Sequence, residues 1–112
     1  MISSEKLFDM LPTTVIIYDK LDLDAYRLKI GEENKKRSKE KKWSTRDFGI
    51  SIAKYVLKNS QKVKEELFEM VSIMQEITLE EAKAQGPLKM INTLKEVFTD
   101  KEATDFFKQA IE

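Results

Sequence analysis

The sequence predicts an all-α protein that forms one compact domain of about five to seven helices. The chain has 112 residues, which suits a single domain around a single hydrophobic core. Only three glycines and two prolines interrupt it, too few for the many turns of a β fold. Apolar residues also recur at helical spacing behind residue types that cap helix N-termini. Together these features predict helices joined by short connections.

The first third of the chain predicts two or three helices. Ser3 and Ser4 are suited to cap a first short helix, and Pro12 is expected to end it or to begin the next segment. The β-branched stretch 13–18 has strand propensity, but a lone strand could not satisfy its backbone hydrogen bonds. We therefore expect a helix there, followed by a helix that Asp22 caps.

A basic segment follows, after Gly31 weakens this helix. Residues 34–42 are strongly charged and have no apolar side chain to pack, so we expect a flexible loop or a frayed helix end that folding does not require. Clustered cations beside Trp43 would suit nucleic-acid binding. However, the 20 basic and 20 acidic residues balance, Glu40 interrupts the run, and only one aromatic adjoins it. A solvated loop is therefore favoured, and nucleic acid is not expected as a partner.

Helix boundaries are clearest in the rest of the chain. Three pairs of residues have capping-box spacing, the first as a variant with aspartate: Ser44 with Asp47, Thr78 with Glu81, and Thr99 with Glu102. An apolar stripe follows each pair, and the strongest amphipathic pattern runs from 63 to 77. Residues 59–60 and 86–87 are expected to separate helices. This half therefore predicts a helical array.

The composition argues against catalysis. The chain contains no cysteine and no histidine. It therefore lacks thiolate and imidazole metal ligands, the commonest general base near neutral pH, and the usual activated nucleophiles. We expect no catalytic residue, no metal site and no cofactor, and we predict that the protein is not an enzyme.

Two groups of carboxylates do not change this expectation. One group is Asp19, Asp22 and Asp24, and the other is Glu65, Glu66 and Glu69. The aspartates lack the turn glycine and the closing glutamate that a calcium-binding loop requires. The glutamates fall on the polar side of a helix, where we expect them to face solvent.

Four residues are candidates for partner binding: Met70, Met74, Met90 and Trp43. Methionines beside apolar stripes either fill a core or form an adaptable binding surface, and core filling is the commoner role. Six phenylalanines and five methionines are generous for a core of this size, which favours some exposure. No run of residues approaches membrane-spanning length, and charges interrupt the first ten residues, so we expect neither membrane insertion nor a signal peptide.

Several segments, taken in order, carry a resemblance to a known family. They are residues 4–12 (SEKLFDMLP), 18–27 (YDKLDLDAYR), 55–60 (YVLKNS), 98–102 (FTDKE) and 105–107 (DFF). With them the chain resembles the tail assembly chaperones of long-tailed bacteriophages and prophages of Gram-positive bacteria. The resemblance covers nearly the full length and is weakest around 35–42.

The resemblance implies a compact helical protein of the infected host's cytoplasm that is absent from the mature virion. Its partners would be the tape measure protein, which it binds during tail morphogenesis, and the tail tube protein, whose subunits it helps to recruit. Self-association into a homo-oligomer would strengthen such binding. A longer frameshifted form is common in such phages. Two alternatives stay open: a small helical nucleic-acid-binding regulator, and a subunit of a larger complex that uses the same apolar surface.

Overall fold

The computed structural model describes residues 2–111, and across that range it confirms the predicted all-α fold. Seven α-helices follow one another within this range: α1 (Ser4–Leu21), α2 (Leu23–Lys35), α3 (Thr45–Lys58), α4 (Lys64–Gln75), α5 (Leu79–Ala84), α6 (Pro87–Thr99) and α7 (Lys101–Ile111). Short 3₁₀ turns lie at Lys39–Lys41 and Ser60–Val63. One buried apolar cluster contains residues from each of the seven helices. The number of helices matches the upper end of the prediction.

Helix α1 is continuous over 18 residues, so the prediction that Pro12 separates two segments is wrong. Pro12 lies inside the helix on its exposed side and cannot donate to the carbonyl of Phe8. Because Phe8 is also exposed, water can satisfy that carbonyl. The expected helix over 13–18 is confirmed, and Ser3 caps α1 by accepting a hydrogen bond from the backbone N–H of Lys6.

Asp22 joins α1 to α2 by its backbone rather than by a side-chain cap. Its φ of 50° places it in the left-handed region, and its side chain makes no capping hydrogen bond to α2. Its backbone N–H instead donates to the carbonyls of Tyr18 and Asp19 at the end of α1. The predicted helix therefore starts where expected, but the predicted cap is wrong. Aspartate suits this position because it tolerates the left-handed region better than most residues do.

The basic segment 34–42 is less isolated than the sequence predicted. Helix α2 continues through Lys35, so the first two residues of the expected loop are helical. The backbone N–H of Trp43 donates to Asn34 Oδ1 at 2.8 Å, and the guanidinium of Arg37 lies 4.6 Å from the centre of the Trp43 ring. Although the segment has no apolar side chain of its own, Asn34 and Arg37 therefore contact Trp43, and the flexibility of the segment stays a prediction.

Two of the three predicted capping boxes are present, those at Ser44 with Asp47 and at Thr78 with Glu81. The third is wrong, because Thr99 is still part of α6 and its hydroxyl donates to the carbonyl of Lys95. Asp100 has extended backbone angles directly before α7 and accepts a hydrogen bond from the backbone N–H of Ala103 at 2.9 Å. Asp100 therefore caps α7 in place of Thr99.

Helices α1 and α4 pack antiparallel along a polar seam. Three hydrogen bonds cross it: Lys6 Nζ to the carbonyl of Met74 (2.9 Å), the Thr13 hydroxyl to Glu69 (3.1 Å), and Lys20 Nζ to Glu66 (2.8 Å). Glu66 is only 8% exposed, so the expectation that it faces solvent is wrong. Its side chain lies between the two helices, where an ion pair with Lys20 compensates its burial.

Candidate partner-binding groove

The four residues predicted for partner binding occupy different environments. Met70 is fully buried in the core, so its assignment as a partner contact is corrected to a core residue. Met74 and Met90 are half-buried and pack against the edge of the core. Trp43 is half-buried, with its ring edge-to-face against Phe48 at 5.4 Å. These four do not form one surface, and the roles of Met74, Met90 and Trp43 stay predictions.

A groove lies between α2, α3 and α7. Its volume is about 570 Å³. Three apolar side chains line its floor and one wall: Leu28 from α2, with Phe48 and Ile52 from α3. Leu28 is 72% exposed, whereas Ile52 is buried, so the apolar surface runs from the rim down to the core. Such a surface favours an apolar occupant.

Charged residues of both signs also line the groove. Asp24 and Arg27 come from α2, and Asp105 and Lys108 come from the facing side of α7. Arg27 Nη1 lies 3.9 Å from Asp24 Oδ1, an ion pair within one helical turn. A concave surface that combines apolar side chains with charges of both signs suits an amphipathic helix, which carries an apolar stripe between polar flanks.

Gly31 borders open space in the groove. It lines the groove, and a Cβ atom placed on it would meet no heavy atom within 4 Å. Since α2 continues through this position, the glycine is not needed for a turn. A side chain introduced here would occupy space that is open in the groove.

Local sequence features hold the α3 wall of the groove in place. The capping box at Ser44 and Asp47 fixes the start of α3, so that Phe48 falls in the first turn and Ile52 one turn later. Gly49, on the same helix, allows close approach to α6, because a Cβ there would lie 2.7 Å from the carbonyl oxygen of Phe98. The position of α3, and therefore of the groove floor, depends on this contact.

Sequence reasoning missed the groove itself. Phe48 and Ile52 belong to an apolar stripe recognised in the sequence, but nothing distinguished their partly open environment from an ordinary core. Leu28 gave one weak signal, an apolar residue away from the buried face of α2 formed by Leu23 and Ile30. The tertiary arrangement of α2, α3 and α7 was needed to reveal the groove.

Metal-binding clusters, membrane-spanning helices and similarity to known proteins were also considered for the described chain. Within residues 2–111, no cluster of three or more acidic side chains could hold a metal ion. Over the same residues, each helix is too short or too polar to cross a membrane. Comparisons of the chain with protein-family models, with curated proteins and with solved structures give no match.

Proposed function

We propose that this chain is a phage tail assembly chaperone that binds a helical segment of the tape measure protein in the α2–α3–α7 groove. The groove itself is the observation that carries the proposal, because it offers apolar side chains together with charges of both signs on the surface of a small helical protein. The chain acts by binding, without catalysis. This is the role that the resemblance of its sequence to tail assembly chaperones implies.

The physical basis is the temporary protection of apolar helix surface. In the chaperone family, the tape measure protein is an extended helix whose apolar stripes are exposed until the tail tube surrounds it. Burying one leucine-sized side chain in the groove contributes about 1.5–3 kcal/mol. Affinity for one segment is therefore modest, and several copies along one long partner reinforce each other through multivalency. Weak individual contacts also allow the incoming tube subunits to displace the chaperone.

The proposal includes a cellular setting. The chain works in the cytoplasm of the infected host, helps to recruit tail tube subunits to the tape measure protein, and is left out of the mature virion. Self-association adds to its avidity for the extended partner. These features rest on the family resemblance, while the groove supplies the means of contact.

The main rival is a nucleic-acid-binding regulator that uses the basic segment 34–42. The aromatic required for base stacking is Trp43, and one face of its ring is already covered by the guanidinium of Arg37 at 4.6 Å. Salt separates the two functions experimentally. Phosphate contacts weaken steeply as salt rises, whereas apolar burial in the groove survives moderate salt.

Co-expression with the tape measure protein encoded beside it in the phage genome tests the proposal. The chain should raise the soluble yield of that protein and co-purify with it in several copies per partner. Gly31→Trp should abolish both effects because the indole would occupy open space in the groove. Gly31→Ala is the matched control and should preserve both effects.

An insoluble tape measure protein in the presence of the folded chain would refute the chaperone function. Salt-sensitive retention of duplex DNA under the same conditions would support the regulator instead. If Gly31→Trp still co-purifies with the tape measure protein, the chaperone role stands but the groove is not its binding surface.

A further inference from the structure

The outer face of α1 carries an apolar row that stays partly exposed in the described chain. Four residues form the row: Phe8, Pro12 one turn later, and then Val15 and Ile16, which follow Pro12 by three and four positions. Phe8 is 63% exposed, Val15 36% and Ile16 43%. The side of α1 that packs into the core is a different one, formed by residues such as Met10 and Ile17. Helix α1 is therefore apolar on two opposite sides, and one of them faces outward.

Edge-to-face packing extends this outer row onto a second helix. The ring of Phe8 meets the ring of Phe106 of α7 at a centroid distance of 5.1 Å and an interplanar angle of 79°. Phe8 is thus held in place by a partner although most of its surface remains exposed. A fixed exposed aromatic of this kind can anchor a binding partner without a large loss of side-chain entropy.

Three carboxylates surround the row. Helical spacing places Glu5 and Asp19 at its two ends and Asp9 along one edge, and all three are exposed. None of these three carboxylates takes part in the ion pairs found among residues 2–111. The negative charge of Glu5 interacts favourably with the helix dipole at the N-terminal end of α1. Asp19 lies in the last turn, where the dipole makes a negative charge unfavourable. The stability of α1 therefore does not explain Asp19.

We propose that the outer face of α1 binds a basic amphipathic helix, one whose apolar stripe is flanked by lysine and arginine. The apolar row supplies the buried contact, and Glu5, Asp9 and Asp19 supply complementary charge. Pairing of two α1 faces in a symmetric dimer is disfavoured because it would bring the same carboxylates together. An anionic membrane is disfavoured for the same electrostatic reason. The surface is separate from the groove, and this proposal does not depend on the chaperone function.

A synthetic helix of about 18 residues, roughly 27 Å long, is a suitable probe because the row with its flanking carboxylates spans about 21 Å. Its sequence places a leucine stripe between lysine flanks, and a matched peptide has glutamate at every lysine position. Fluorescence anisotropy should show that the lysine peptide binds the full chain at least about tenfold more tightly than the glutamate peptide. This preference should shrink between about 0.1 M and about 1 M salt.

Two α1 variants test which residues bind the peptide. Asp9→Lys with Asp19→Lys reverses the charge, and Val15→Ser with Ile16→Ser removes the apolar contact; all four side chains are exposed, so the fold should persist. Each pair should weaken binding of the lysine peptide by about tenfold or more. Glu40→Lys with Glu96→Lys is the control, since it changes the net charge equally at exposed sites away from α1.

Several results would overturn this inference. They are the absence of measurable binding, equal affinity for the two peptides, and an equal effect of the α1 and control variants. Loss of binding in Gly31→Trp, with no loss in the α1 variants, would place the peptide in the groove instead. Sedimentation provides the last test: self-association of the wild-type chain that Val15→Ser with Ile16→Ser abolishes would show that a second copy covers this face.

Discussion

Glycine-to-alanine substitution should have opposite effects on stability at the two helical glycines. In the interior of a helix, alanine is more favourable than glycine by about 1 kcal/mol. Gly31 of α2 has no heavy atom within 4 Å of a new Cβ, so Gly31→Ala should gain this full amount. At Gly49 of α3, a Cβ would lie 2.7 Å from the carbonyl oxygen of Phe98. Real Cβ contacts are essentially never that short.

The cost at Gly49 follows from what must move. The contact involves the backbone of α6, which cannot rotate away as a flexible side chain can. Restoring ordinary van der Waals distance requires α3 and α6 to separate by about 0.7 Å, and such overpacking costs about 1–3 kcal/mol. Because the helix-propensity gain of about 1 kcal/mol offsets part of this cost, the net effect of Gly49→Ala should range from neutral to a destabilisation of about 2 kcal/mol. The two variants should therefore differ by about 1–3 kcal/mol.

Thermal unfolding followed by far-ultraviolet circular dichroism measures this difference. At about 4 °C per kcal/mol, Gly31→Ala should melt about 4 °C above wild type, and Gly49→Ala at or below wild type. Gly49→Ala should also weaken binding in the groove, because α3 carries Phe48 and Ile52. Equal increases in melting temperature for both variants would refute the close packing of α3 on α6.

The remaining predictions concern charged side chains, and each can be checked by thermal or urea unfolding. Lys20→Met should destabilise the fold by about 1–2 kcal/mol, because it leaves the buried Glu66 without its ion-pair partner; a smaller effect would mean that Glu66 is hydrated. Arg37→Gln should cost about 0.5–1 kcal/mol by removing the cation stacked on the single tryptophan, whereas the neighbouring Lys39→Gln should change stability by less than about 0.5 kcal/mol. Equal effects of these two changes would argue for a freely mobile segment. The pKa of Glu81 is lowered, mainly by a hydrogen bond from the backbone N–H of Thr78 and secondly by the Thr78 side chain. The ionised carboxylate therefore stabilises the folded state fully above the ordinary glutamate pKa, and this stabilisation is lost as pH falls through the lowered value. Glu81→Gln should remove that part of the acid dependence, and an unchanged pH profile would contradict the capping geometry.

Local sequence signals were sufficient to predict most of the helices. The boxes at Ser44 and Thr78 each place a helix start, because the hydrogen bonds that define them join residues only three positions apart. The apolar stripes behind them identify the buried sides. The third box failed for a local reason, since both Thr99 and Asp100 can cap a helix and the sequence does not show where α6 ends.

The larger errors have tertiary causes. Pro12 is tolerated inside α1 because its side of the helix is exposed, which its neighbours in sequence do not reveal. Glu66 is buried because Lys20, far away in the chain, lies opposite it on α1. Met70, like Met74 and Met90, is a methionine on or beside an apolar stripe, yet it packs fully into the core. Periodicity identifies a helix but not how wide its buried face is.

The groove could not be predicted for a related reason. Two of its walls come from the consecutive helices α2 and α3, but the third comes from α7, which is far from them in sequence. The sequence identified Gly31 only as a residue that weakens a helix, although in the structure its lack of a side chain leaves space open in the groove. Such a site depends on the distances between helices, which hydrophobic patterning does not specify.

Amide hydrogen exchange of the chain, alone and with the tape measure protein, tests the central claim most directly. If a helix of that protein occupies the groove, exchange should slow in the segments that form its walls: 24–31, 45–52 and 104–108. Exchange elsewhere should change little, and Gly31→Trp should eliminate the protection. Unchanged exchange in all three segments, or protection confined to the basic segment 34–42, would contradict helix binding in the groove.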